Sequence, residues 1–386
     1  MRGRVRREPR ETEVDIMRWA FFVVVVVHGL IHVLGVAKAF ALADLPQLTQ
    51  PISRSLGIVW LAAAALLLTS ALAWVVAPRW FWIVGALAVV ASEIAIASAW
   101  RDAKFGTLAN VIVLLGVVYG FVSQGPWSLR TEYRREVTAA IARAPAPRLV
   151  VEADLLRLPD PVRAYVRSSG AVGLPQIADF RATWRGRIRA GASEPWMEFR
   201  AEQVSVYEEQ APTRLFFMDA TMKHLPLDVL HRFVGDAATF RVRVLSAFTM
   251  VDAKGPEMNR GETVTLFNDL CLLAPGRLID PAITWEAVDA QHARARYTRG
   301  AETISAELVF DADGDLVDFV SDDRSAASAD GKTFKVERWT TPVRSHRAFG
   351  ARRVMDVAEG RWWPATGGFT YVELELVGIE YNVVTV

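Results

Sequence analysis

Residues 19–124 carry four long apolar runs, near 19–41, 56–77, 79–100 and 106–124, each able to cross a hydrocarbon core of ~30 Å at ~1.5 Å per helical residue. Hydrocarbon offers no partners to a peptide group, so each run must satisfy its backbone internally as a helix. The first third of the chain is therefore expected to be a membrane four-helix bundle. Its arginine-rich lead (MRGRVRREPR) resembles the start of a signal peptide, but the apolar stretch behind it exceeds the ~7–15 residues of a signal core and three more spans follow. We expect an uncleaved first helix.

Basic residues set the expected orientation. Arg2, Arg4, Arg6, Arg7, Arg10 and Arg18 precede the first span, and Arg130, Arg134, Arg135, Arg143 and Arg148 follow the fourth; the two loops on the other side hold only Arg54, Arg101 and Lys104. Both ends of the bundle, and the remainder of the chain with them, are expected on the cytoplasmic face of a bacterial inner membrane. Trp19, Trp74, Trp80, Trp82 and Trp127 then fall near the inner boundary, and Trp60 and Trp100 near the outer.

Polar side chains inside such helices are costly, so those present face partners, cavities or ligands. His28 and His32 share one face of the first span at i and i+4, roughly 14 and 20 Å deep, and Glu93 lies roughly 20 Å into the parallel third span. Lys38, Asp102, Lys104 and Asn110 gather toward the outer end. These seven form an intramembrane polar cluster. Its plain reading is hydrogen bonding that pins the helices. A quinone-like pocket, or a metal or haem held by His28, His32 and Glu93, is the sharper alternative. The residues name no cofactor, and a closed metal site usually needs a fourth ligand.

From residue 130 the composition becomes that of a soluble domain. We expect a basic lead at 1–18, the bundle at 19–124, a juxtamembrane helix and linker at 125–155, and a β-rich domain at 156–386. The juxtamembrane segment, GPWSLRTEYRREVTAAIARAPAPR, reads as a helix that is solvated or lies along an anionic leaflet. A short helix is expected at PDPVRAYVRSSG, with Asp160 as N-cap, Pro161 in the first turn and Gly170 at the stop.

Beyond residue 178, period-two alternation predicts about ten antiparallel strands. GETVTLFNDLCLLAPGRLID interrupts them with helical spacing. The predicted fold is thus a mainly antiparallel curved sheet, or half-barrel, with an inserted helix. Arg185, Arg187 and Arg189, with Arg241, Arg243, Arg294 and Arg296, alternate with apolar residues and populate the outer face. Cross-strand ion pairs with Glu198 and Glu202 are one account of them, and contact with phospholipid headgroups the other. Nucleic acid is not an expected partner: the net charge is +1 and no aromatic residues interleave on that face.

No GxSxG, HExxH, P-loop or dinucleotide fingerprint is present, which points to binding rather than catalysis. DADGD at 311–315 reads as a hairpin turn. His224, Asp228 and His231 are close in sequence but lie in an ordinary amphipathic segment, and Asn268, Asp269 and the single Cys271 sit on the inserted helix, Cys271 as a small core residue.

HGLIHVLGVAKAF, LPQLTQPIS and WRDAKFGTLANVIVLLG, then LPDPVRAYVRSSG, PEMNRGETVTLFNDLCLLAPGRLID and RWWP, resemble an uncharacterised family of bacterial membrane proteins classed as a domain of unknown function. The resemblance covers most of the chain and supplies no catalytic residues. The soluble half also resembles lipoprotein-carrier half-barrels, and the helical half is similar in size to DoxX-like membrane proteins. These likenesses imply a membrane-tethered binding or transfer module whose apolar concavity takes a lipid or other hydrophobic ligand. A redox or metal protein built on the histidines and an anchored interaction protein are the alternatives.

Overall fold

The computed structural model describes residues 9–208, 212–328 and 330–383, with side chains from Ile16 onward. Arg2, Arg4, Arg6, Arg7 and the side chain of Arg10 lie outside the described residues. The chain divides after Ser128 into two compact units.

The first unit consists of α1 (Pro9–Ala39), α2 (Arg54–Val76), α3 (Pro78–Ser98), the short α4 (Trp100–Ala103) and α5 (Gly106–Gln124). Four of its helices are long and apolar enough to cross a membrane. Ser53 caps α2 by accepting from the Leu56 N–H, and Pro78 opens α3 two residues past the α2 terminus, with Ala77 alone between them. α1 packs on α2 and α5, and α3 packs on the same two, so the bundle closes around Val25, Leu67, Phe81, Ala88 and Val113. Gly35 is required at one crossing: a Cβ there would collide with the Trp60 ring. Trp60, expected as an outer-boundary anchor, is only 3% exposed. The space left by Gly35 turns it inward, where its indole N–H donates to Ser98 Oγ at 3.3 Å.

The second unit begins with α6 (Leu129–Ile141) and α7 (Asp160–Ser168). β1 (Asp179–Ile188), β2 (Met197–Val206), β3 (Thr213–Met222), β4 (Leu225–Val234), β5 (Ala237–Val244) and β6 (Phe248–Lys254) form a meander ending at α8 (Pro256–Leu273). β7 (Ile283–Ala287), β8 (His292–Arg299), β9 (Glu302–Phe310) and β10 (Leu316–Ser321) follow, then the short β11 (Ser325–Ala327), β12 (Phe334–Val336) and β13 (Arg338–Thr340). β14 (Val343–Phe349), β15 (Arg352–Trp363) and β16 (Phe369–Tyr381) complete the chain order. Fourteen strands make one antiparallel sheet, ordered β6-β5-β4-β3-β2-β1-β16-β15-β13-β10-β9-β8-β7 with β14 beside β15, and β11 and β12 pair separately.

α8 touches both β6 and β9, which are ten strand intervals apart in that order. On a flat sheet ten intervals span about 48 Å, against about 27 Å for an 18-residue helix, so the sheet must curl around α8. Residues Gly261 to Leu273 are buried all round the helix. This is the expected curved antiparallel sheet with an inserted helix, and α8 fills its concave face.

Three details differ from expectation. The strand number exceeds ten partly because β4 has two buried faces: Leu227, Val229 and Phe233 enter the main core and Leu230 lies under α6. Burial on both sides erases the alternation that marks a half-exposed strand. Second, α6 is neither solvated nor set apart as a linker. Its stripe of Leu129, Tyr133, Val137 and Ile141 packs on Val204, Leu215, Phe217 and Leu230, and Glu136 and Glu132 pair with Arg232 and Arg241. Third, α7 starts one residue earlier than read: Pro159 is the cap and Asp160 the first helical residue, while Pro161 and Gly170 (φ +73°) stand as expected.

Candidate functional site

Within the first unit, four of the seven expected polar residues meet. His32 Nδ1 lies 2.9 Å from the His28 carbonyl, which can only accept, so that nitrogen carries the proton. In the neutral ring Nε2 then accepts from the Ser92 hydroxyl at 2.9 Å. His28 Nε2 donates to Asn110 Oδ1 at 2.9 Å, with Ser92 Oγ at 3.1 Å, and Asn110 Nδ2 donates onward to Glu93 at 2.7 Å. Thr107 donates to the other Glu93 oxygen at 2.9 Å. α1, α3 and α5 are thereby joined by one chain of hydrogen bonds. Lys38, Asp102 and Lys104 lie outside it. Asp102 accepts from Thr49 and the Gln50 N–H, Lys104 stands over the Phe105 ring, and Lys38 occupies the last turn of α1. Among the described residues no three His, Cys, Asp or Glu side chains converge as a metal site, and Glu93 reaches His28 only through Asn110.

Six of the seven convex-face arginines stand on β1, β5 and β8, and Arg189 follows the last residue of β1. β5 is four intervals from β1 and β8 six on the other side, about 19 and 29 Å along the sheet. They form separate patches. Arg185 and Arg187 pair with Glu375 and Glu373 of β16, each bidentate, and Glu198 of β2 stands opposite Arg187 in the register. Arg189 donates to the Thr370 and Ala192 carbonyls, and it and Arg187 flank the Trp196 ring. Arg241 pairs with Glu132, Arg243 stands opposite Asp228, and Arg294 lies 3.4 Å from Glu307. Arg294 and Arg296 line a shallow depression with Thr284, Trp285, Glu286 and Ser305.

The concave face, expected to offer an apolar concavity for a ligand, is occupied by α8 and a buried ionic network. Asp269 accepts from Gln203 and Arg214, both at 2.6 Å. Glu262 lies 3.3 Å from Arg214 and 2.9 Å from His231. Burial disfavours the Glu262 carboxylate, but His231 and Arg214 outweigh it and hold the pKa down at about 2. At Asp269 burial wins and the pKa rises despite Arg214. His231 and Asp228 lie on opposite faces of β4, and His224 sits in the preceding turn at φ +69°, so the three do not assemble. DADGD is a hairpin turn in which Asp311 accepts from the N–H groups of Asp313 and Asp315. Cys271 is fully buried, and burial pushes its thiol pKa well up.

A cavity of about 610 Å³ opens elsewhere in the same unit. Pro145 to Arg148, Gln176, Ala178, Tyr207, Arg277, Ile279 to Ala282 and Arg299 contribute to its wall. Ile279, Ala282, Pro145 and the Tyr207 ring supply apolar surface; Arg277 and Arg299 supply charge. Arg277 is placed by the turn that ends α8, after Pro275 and Gly276, and its guanidinium lies over the Tyr207 ring. Both arginines approach a single Asp280 oxygen at 3.3 Å. Burial lowers the Arg277 pKa from its ordinary value. No sequence signal marked this wall, because its residues come from five remote segments.

A family model described as a family of unknown function, DUF6544, matches residues 148–374, more than half of the chain. No curated protein matches it significantly. Among solved structures it is similar to a putative outer membrane lipoprotein-sorting protein domain from Vibrio parahaemolyticus, at 12% identity and TM-score 0.31, covering 54% of this chain and 87% of that one. It is also similar to a DUF1329 family protein from Desulfovibrio piger ATCC 29098, at 12% identity and TM-score 0.35, covering 62% and 96%. The chain belongs to the DUF6544 family.

Proposed function

We propose that this DUF6544 member is a membrane-tethered binding or transfer module whose β domain holds a small molecule with a hydrophobic body. The observation that carries the reading is the cavity beside Tyr207, Ile279 and Ala282: about 610 Å³ is the volume of an ordinary ligand site, and its wall mixes apolar surface with a few polar groups. It replaces the concave face as the place for a ligand, since α8 occupies that face. The four apolar helices serve as the anchor. The network through His28, Ser92, Asn110 and Glu93 pins them together, and both ends of the bundle face the cytoplasm. Carboxylate and aromatic partners engage most of the convex-face arginines, so we assign these mainly to sheet stability rather than to headgroup binding.

A photo-crosslinking amino acid in place of Ala282, in the full chain in native membranes, tests the site. Irradiation should give a covalent adduct of small-molecule mass there and none at exposed Ala301. Equal adducts at both positions, or none at either, would remove the cavity as the ligand site.

A further inference from the structure

The donors around the cavity are incompletely used. Arg277 has a side chain only 9% exposed, yet its Nε has no hydrogen-bond partner among the described residues. Its other nitrogens reach the Ile177 carbonyl at 3.4 Å, the Tyr207 carbonyl at 3.5 Å and Asp280 at 3.3 Å, all beyond the ~2.7–3.2 Å of a well-made N–H···O bond. Tyr207 is 1% exposed and its hydroxyl likewise has no partner. Leaving buried donors unsatisfied is costly, and a guanidinium more so than a neutral group. Arg277 and Arg299 both lie 3.3 Å from one oxygen of Asp280, whose other oxygen already accepts from the Ala282 N–H at 2.9 Å; Arg299 Nε also donates to the Tyr297 hydroxyl at 2.7 Å, and Arg148 is paired with Asp154.

We infer that the cavity takes the anionic head of an amphiphile, a phosphate or carboxylate, between Arg277 and Arg299, with the Tyr207 hydroxyl as a further donor and the chain of the ligand along Ile279, Ala282 and Pro145. A planar guanidinium fits such a group by paired hydrogen bonds. This rests on the reading that the cavity is the ligand site, and it adds the chemical class of the ligand.

The test is calorimetric titration of the full chain in neutral detergent with four probes: oleoyl lysophosphatidate, oleate, neutral monooleoylglycerol and inorganic phosphate. At least one of the two anionic amphiphiles should bind tenfold or more tighter than monooleoylglycerol. Arg299→Gln should weaken that probe at least tenfold, and Asp280→Asn, which removes the competing carboxylate, should tighten it. This second variant keeps the test sharp if loss of an arginine unsettles the fold. Equal affinities for charged and neutral amphiphiles, blocked by Ala282→Trp but indifferent to Arg299→Gln and Asp280→Asn, would overturn the anion site while the cavity reading stands. Anionic binding untouched by Ala282→Trp would overturn both. Inorganic phosphate binding as tightly as lysophosphatidate would keep the anion chemistry, assign it to a free ion, and overturn the amphiphile.

Discussion

Glu262 is buried, ionised and shared between Arg214 and His231, so its removal strands positive charge in the core. Breaking one partner out of such a pair costs about 3–5 kcal/mol. Glu262→Gln should therefore lower the denaturation midpoint of the second unit sharply, whereas the joint change with Arg214→Met should recover part of the loss; additive losses would show that the network is not coupled. Its pKa of about 2 lies below the unfolded range of about 4.3, so its contribution is present above that range and fades as pH falls toward 2. Asp318 has the opposite sign. Burial raises it to about 6, above an unfolded value of about 3.9, so the stability it lends is complete below pH ~4 and lost as pH rises through ~6. Asp318→Asn should raise the melting temperature at pH 7.5 and leave it nearly unchanged at pH 4; a uniform shift at both would contradict the assignment. Among the intramembrane residues, His28, His32, Glu93 and Asn110 were legible because such side chains are rare in apolar runs. Ser92 and Thr107 were not, since hydroxyls in such helices commonly bond their own backbone, as Ser70 does to the Leu67 carbonyl at 2.8 Å. His32→Ala should cost on the order of 1 kcal/mol of bundle stability, read by denaturation in detergent. A change of several kcal/mol would indicate more than pinning.

Elements were legible to the degree that one face met solvent. β1 alternates cleanly and was read in place, whereas β4, covered on both sides, was read as an amphipathic segment. α8 betrayed itself by interrupting the alternation, but the partners of Glu262 and Asp269 across the sheet gave no local signal. α6 shows a similar gap: its apolar stripe suits a membrane surface as well as it suits Leu215, Phe217 and Leu230, and sequence alone does not choose between them. β16 illustrates what position in the sheet adds. It lies between β1 and β15, joining the two halves of the sheet, and Tyr381 donates to the Leu273 carbonyl at 2.8 Å to tie it to the end of α8. A chain ending at residue 366 should lose cooperative unfolding and the β-sheet circular dichroism of the parent. Retention of a melt near the parent's would mean that β16 is dispensable.

For the whole molecule, four apolar runs and a long alternating tail made the division into helical and β-rich parts readable. The cavity was not readable, because it exists only once Pro145, Tyr207, Arg277 and Arg299 have been brought together from distant parts of the chain. Orientation rests on arginines flanking the spans. Cys271, fully buried, makes the native chain a quiet background for thiol labelling. In intact cells a cysteine at Arg130 should resist a membrane-impermeant reagent and one at Gln50 should react; the reverse would place the β domain outside. The central claim, that the β domain carries a hydrophobic-bodied ligand in this cavity, is tested most directly by native mass spectrometry of the full chain from gentle detergent, wild type beside Ala282→Trp. The account predicts a bound small molecule on the wild type that is absent from the filled-cavity variant of equal melting temperature. The same adduct on both proteins, or none on the wild type, would contradict it.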